Sequence, residues 1–138
     1  MKRTIRYGLA GLGLALSCLL AAPAFAANFT GNCADAQDPA KFDGNGNADI
    51  TDGSCTITSL SATGHINIAA SGAVSIGTLS AGTSSSITGQ SINATGGIST
   101  NGGSLALVST NGLITTTALT SAFGGITITS AGSTGSIT

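Results

Sequence analysis

The stretch from Asp43 to Asp52 holds the closest set of metal-binding side chains in this sequence. An EF-hand-like loop places oxygen ligands at its first, third and fifth positions, an aliphatic residue at the eighth and an acid at the twelfth. Counted from Asp43, Ile50 fits the eighth position, but Ala48 stands where glycine is needed and Ser54 where the acid belongs. The alternative is a turn cluster that leads into a strand. The oxygen-bearing side chains predict a calcium site, formed by Asp43, Asn45, Asn47, Asp49 and Asp52.

Cys33 and Cys55 are the two cysteines that follow residue 26. Their spacing matches no zinc-binding pattern, and an isolated pair in an oxidising compartment most simply forms one disulfide. By restricting the unfolded chain, such a bridge would stabilise the fold by roughly 3 kcal/mol. We therefore predict a structural disulfide.

Catalytic chemistry has little support in the sequence. His65 is the only histidine, and it alternates with Ile66, so we expect it to face solvent. General-base catalysis needs an orienting partner, and no acid follows Asp52 in the chain. Nothing near the many serines and threonines would activate them as nucleophiles. We predict a protein that is not an enzyme and has no cofactor apart from the calcium considered above.

Charge is confined to the first part of the chain, since no Lys, Arg, Asp or Glu occurs from Gly53 to Thr138. After residue 26, Lys41 is the only base. Nucleic acid is therefore excluded as a partner, because little positive charge is left to neutralise phosphates. Clusters of charged residues such as β-helical polysaccharide-cleaving enzymes use are also missing from this part of the sequence.

The first 26 residues have the organisation of a secretory signal peptide. A basic start, MKRTIR, precedes an apolar run from Tyr7 to Leu20, and small residues stand at Ala24 and Ala26. The apolar run is too short for a membrane span. We predict cleavage after Ala26 and export to the cell surface or the medium.

Isoleucine recurs in strict alternation in the uncharged part, as in HINIAA, AVSIG and ITITS. Period two is typical of strands with one buried face, and glycines divide these strands into units of about 21 residues. Units of this size must stack on copies of themselves, which predicts an all-β fold, a parallel β-helix or β-solenoid. The alternative is a two-sheet sandwich. The expected inner column is Ile66, Ile87, Leu107 and Ile128.

Three regions follow from these patterns. Residues 1–26 are the signal peptide, residues 27–55 form an Asp/Asn/Gly-rich cap region with the disulfide, and residues 56–138 are the solenoid. The final GGITITSAGSTGSIT opens a coil without a closing glycine or a polar cap. We therefore expect a solenoid that is cut short, either as part of a longer protein or as an end that associates with another chain.

From about Gly64 onward the sequence resembles the β-helical repeats of filamentous-haemagglutinin-like proteins and autotransporter passenger domains. The resemblance lies in GHINIAASGAVSIGTLSAG, which is similar to the Gly-x-Ile-x-Ile and Leu-Ser-Ala-Gly motifs of these proteins. It implies a secreted bacterial adhesin or structural stalk, the N-terminal part of a larger exoprotein. Its partners would be a host or cell-surface target and outer-membrane export machinery. Two alternatives are a self-assembling, amyloid-like fibre and a small ice-binding solenoid that uses the threonines of TIT (56–58), TTT (115–117) and TIT (127–129).

Overall fold

A computed structural model describes residues 28–131 of the protein. The predicted signal peptide and residues 132–138, which end the last predicted coil, lie outside the described residues. The described chain begins with a short strand, β1 (Phe29–Gly31), and a short helix, α1 (Cys33–Ala36). None of the helices between residues 28 and 131 is long and apolar enough to cross a bilayer.

The cap at the start of the chain is held by a helix cap, a disulfide and an aromatic pair. The Asn32 side chain accepts a hydrogen bond from the Asp35 backbone N–H at 2.8 Å, which satisfies a free donor at the start of α1. Cys33 and Cys55 form the predicted disulfide, with Cα atoms 5.5 Å apart. The rings of Phe29 and Phe42 pack against each other with a centroid distance of 5.5 Å.

Parallel strands then alternate between two sheets. Their bounds are β2 (Ala48–Asp52), β3 (Cys55–Ala62), β4 (Ile66–Ala70), β5 (Val74–Ala81), β6 (Ser85–Gly89), β7 (Ile92–Thr100), β8 (Leu105–Ser109), β9 (Ile114–Ser121) and β10 (Ile126–Ser130). Sheet A has the order β1-β2-β4-β6-β8-β10, and sheet B has the order β3-β5-β7-β9. Each strand pairs with the strand one coil away, so the prediction of an all-β parallel β-solenoid is confirmed.

Alternation along each strand fills the space between the sheets with aliphatic side chains. In β4, for example, Ile66, Ile68 and Ala70 are buried while the residues between them are exposed. Equivalent residues of successive coils stack on one another, because the strands are parallel and in register. The largest fully buried side chains are Ile50, Ile57, Ile66, Ile68, Ile76, Leu79, Ile87, Ile92, Ile98, Leu105, Leu107 and Ile114.

Coil length grows along the chain. In sheet A the register pairs Ala48 with Ile66, 18 residues on, but Leu105 with Ile126, 21 residues on. The predicted repeat of about 21 residues is therefore right for the last coils and too long for the first. The extra residues lie at corners and at register shifts in the pairing of β7 with its two neighbours in sheet B, whereas the pairing in sheet A is continuous.

One member of the predicted inner column, Ile66, is wrong for this reason, whereas the other three residues stack on one another as expected. Ile87 pairs with Ile68 in the preceding coil, whereas Ile66 pairs with Ser85. A shift of two residues leaves the same side chains facing inward, so alternation alone cannot distinguish the two registers. The correct register places Ser85 between Ile66 and Leu105 in the core.

Two buried serines of the solenoid differ in how their hydroxyl groups are satisfied. Ser85 is 3% exposed and its Oγ has no hydrogen-bond partner. Ser109 is 0% exposed, and its Oγ donates to Gln90 O at 2.6 Å and accepts from the Gly112 N–H at 3.1 Å. The first hydroxyl is an energetic defect in the core, whereas the second stabilises a corner.

We expect Ser85→Ala to stabilise the protein by about 1 kcal/mol, because it removes a buried polar group that lacks a partner. The matched control, Ser109→Ala, should destabilise it by about 1 kcal/mol or more, since the corner loses its hydrogen bonds. Urea unfolding of both variants with the disulfide intact measures the two changes. A loss of stability in Ser85→Ala equal to that in Ser109→Ala would contradict the assignment.

Candidate binding cleft

Two of the predicted calcium ligands meet in a turn, and a third lies apart from them. Asp43 Oδ1 accepts a hydrogen bond from the Asn45 backbone N–H at 2.9 Å, and Asp43 Oδ2 accepts one from Asn45 Nδ2 at 2.9 Å. Asp52 is on β2, where its two carboxylate oxygens accept from the backbone N–H groups of Cys33 at 3.1 Å and Gly53 at 2.7 Å. These carboxylates thus fix the local backbone of the cap.

The other two predicted ligands, Asn47 and Asp49, both contact His65. The His65 backbone N–H donates to Asn47 Oδ1 at 3.0 Å, and His65 Nε2 lies 3.1 Å from Asp49 Oδ1. Within residues 28–131, no group of three or more His, Cys, Asp or Glu side chains is placed to hold one metal ion. Calcium binding stays a prediction.

The Asp49–His65 pair corrects the expectation that His65 lacks a carboxylate partner. The acid comes from the preceding coil, because Asp49 of β2 pairs with Asn67 of β4, close to His65. The two side chains remain 42% and 36% exposed, respectively. Asp49 precedes His65 by 16 residues, so a search for acids within about one coil of His65 would have found the pair from the sequence. Within the described chain no hydrogen bond joins this pair to a serine or threonine hydroxyl, so the structure shows it as an exposed hydrogen-bonded pair.

Uncharged residues form columns across the outer face of sheet B. Thr56 and Thr115 share one column, but Ser75 and Asn93 separate them, and Thr127 belongs to sheet A. The three threonine segments therefore do not form one continuous column. A shallow groove of about 310 Å³ runs over the same sheet, and its outward-facing side chains are Ser59, Ser61, Thr78, Ser80, Ser99, Ala118 and Thr120.

Gln37 covers part of the free edge of sheet B. β3 is an edge strand, so one side of its backbone has no strand partner. Gln37 Nε2 donates to Thr56 O at 2.8 Å, and Gln37 Oε1 accepts from the Thr58 N–H at 2.7 Å. Its side-chain amide therefore takes the place of a peptide group from a missing coil. Sequence reasoning did not identify this residue, although Gln37 precedes Thr56 by about one coil.

A cleft of about 400 Å³ lies next to this covered edge, between the cap and β3. Its floor includes Ser59, Leu60 and Ser61 of β3, which also contribute to the groove over sheet B. The cleft and the groove thus meet at this part of β3. The cap supplies the opposite wall through Ala36, Gln37, Pro39, Phe42, Asp43, Gly44 and Asn45.

The charge at the cleft is negative. Asp43 is the one charged residue among those that line it. The hydrogen bonds from Asn45 lower the pKa of the Asp43 carboxyl below its usual value, so this side chain is ionised at neutral pH. The nearest base in the sequence, Lys41, is engaged elsewhere, because its Nζ lies 2.6 Å from Asp35 Oδ1.

Replacing Gln37 with alanine should expose the edge of β3 and destabilise the protein by about 1 kcal/mol, since two hydrogen bonds to β3 and one to Cys33 O are lost. Amide hydrogen exchange should accelerate at Thr58, because its N–H donates a hydrogen bond to Gln37 Oε1. Exchange should stay unchanged at Cys55, because its N–H donates to Ala73 O. Gln90→Ala is the control, because Gln90 is exposed on the solenoid surface. Unchanged exchange at Thr58 would show that Gln37 does not protect the edge.

No protein-family model, curated protein or solved structure matches this chain. The fold therefore rests on the observed strand register, and the function has to be argued from the chemistry of the surfaces described above.

Proposed function

We propose that the protein is a non-enzymatic exported β-solenoid of the adhesin type, displayed at the cell surface or secreted, in which the coils form an uncharged stalk. The observation that carries this proposal is the chemistry of the outer faces. From Gly53 to Ala131 the described chain has no Asp, Glu, Lys or Arg, and its outward positions are mainly Ser, Thr, Asn, Gly and Ala. Such faces favour recognition by hydrogen bonding over charge steering.

The coil geometry supports the role of a stalk. Each coil contacts only its neighbours along the axis and adds about 4.8 Å to the length, so further coils extend the rod without altering its cross-section. A rod that can be lengthened in this way suits a protein that holds a binding surface away from its anchor. The solenoid core is closed at its N-terminal end by the cap, where Phe29 and Phe42 are buried.

The disulfide supports export, although it is not specific for a route. Cys33 and Cys55 are both buried, at 3% and 1% exposure, and bridge the cap to the first strand of sheet B. Structural disulfides persist in oxidising compartments outside the cytosol. This agrees with the signal peptide expected at residues 1–26.

The experiment that tests the proposal is expression of the full chain in a bacterial host, followed by fractionation and intact-mass analysis. We expect a product that begins at Ala27, carries an oxidised Cys33–Cys55 pair and is recovered outside the cytoplasm. A variant in which the apolar run of the leader is interrupted by two arginines is the control, and it should stay unprocessed. Recovery of uncleaved, reduced protein in the cytoplasm from the unaltered chain would refute export.

End-to-end self-association is a second candidate, and one observation favours it. The last described coil leaves large apolar side chains in solvent, with Phe123 83%, Leu113 44% and Ile126 43% exposed. Burying such a surface against another copy would be favourable. This arrangement corresponds to the self-assembling fibre.

Sedimentation velocity over a hundredfold range of concentration tests self-association. If the exposed coil drives it, the mean sedimentation coefficient should rise with concentration, and Phe123→Ser should reduce the rise. Thr56→Ser is the control, because Thr56 is exposed and lies on β3, outside the last described coil. A single species of monomer mass at all concentrations would exclude this candidate.

A further inference from the structure

The edge of β3 is only partly covered by the cap. Gln37 satisfies Thr56 O and the Thr58 N–H, as described above. Further along the strand, the Thr63 N–H donates to Gly44 O at 2.9 Å. Between these two points lies the segment from Ser59 to Ser61, which forms the floor of the cleft.

Backbone groups of this segment point into the cleft. Ala62 O accepts a hydrogen bond from the Gly82 N–H at 2.8 Å, so Ala62 faces the neighbouring coil. Because successive residues of a strand direct their N–H and C=O groups to opposite sides, Ser61 and Ser59 face the other way, toward the cap. Consistent with this, Ser61 O lies 3.1 Å from the place where a Cβ of Gly44 would be.

No strand pairs with β3 on this side in the described chain, and no backbone hydrogen bond from the cap reaches Ser59 or Ser61. Edge groups of this kind are a template for another extended segment. At Gly44, whose φ is 85°, the cap rejoins the strand, and its contacts continue at Gly46, whose N–H donates to Thr63 Oγ1 at 2.8 Å; the template therefore ends at Gly44.

The surroundings of the edge indicate which segment fits. Ala36, Pro39 and Phe42 give the opposite wall an apolar character, and Asp43 places a single negative charge at its end. A polypeptide supplies both the alternating N–H and C=O groups that the edge lacks and side chains for the walls. The charge of Asp43 favours a basic side chain on that polypeptide.

We propose that this cleft binds a short extended peptide segment with a basic residue, which adds to the edge of β3 by backbone pairing. The open stretch between the Gln37 and Gly44 contacts is about 10 Å long, enough for roughly three residues. A neutral polysaccharide would leave the alternating backbone groups of Ser59 and Ser61 poorly matched. We assign the peptide to the surface protein that the stalk would bind. This assignment rests on the proposed function, whereas the peptide site itself does not.

The test uses the full mature chain with its disulfide intact and a blocked three-residue peptide, acetyl-Val-Arg-Val-amide. Two-dimensional amide NMR should show saturable shifts confined to residues 36–45 and 58–63. Methylating alternate peptide nitrogens gives a matched pair of probes. Methylation of the amides that face β3 should abolish binding, whereas methylation of the amides on the other side should leave the affinity within about twofold.

Charge is tested with Asp43→Asn, which should weaken binding of the arginine peptide about two- to fivefold, as for an exposed ion pair. Asp38→Asn is the control variant, because Asp38 is an acid of the cap that does not line the cleft. A peptide with alanine in place of arginine should bind both variants equally.

Several results would overturn the proposal. These are the absence of saturable shifts at millimolar peptide, equal binding of the two methylated probes, or shifts that map to the groove over sheet B. None of these measurements depends on export, so failure here and failure of the proposed function can be told apart.

Discussion

The parallel hydrogen-bond ladder between successive coils is the interaction on which the rest of the structure depends. It holds each strand in register with the strand one coil away, and the register in turn stacks aliphatic side chains in the core. Because the ladder satisfies the backbone of every inner strand, the outer faces are free to vary in chemistry. The surface therefore carries Ser, Thr and Asn side chains that contribute little to folding.

Sequence patterns were sufficient for the fold class because the core repeats a single rule. Alternating Ile, Leu and Val with glycines at intervals of about one coil predicted the solenoid. The Cys33–Cys55 bridge was predicted because these are the two cysteines that follow residue 26. The exact register could not be obtained in this way. A displacement of two residues, as between Ile66 and Ile68 opposite Ile87, preserves the inward face and is decided only by corner geometry.

The site was harder to predict because it is built from residues that are adjacent in space through the coil repeat. Asp49 contacts His65, and Gln37 contacts Thr56 and Thr58, in each case across about one coil. Neither pair forms a sequence motif. Asp43 and Asn45 are predicted metal ligands, and the structure shows that they lie in a turn that borders the cleft. Their chemistry was recognised, but the surface to which they belong depends on the placement of the cap.

The Gln37 amide also acts as a selector of length. A single side chain ends the exposed edge on one side, and the backbone turn at Gly44 ends it on the other. A long strand from another solenoid cannot lie along β3 without displacing one of them, whereas a segment of a few residues can. The cap thus separates two processes that an open sheet edge would otherwise combine, uncontrolled aggregation and selective pairing with a short partner.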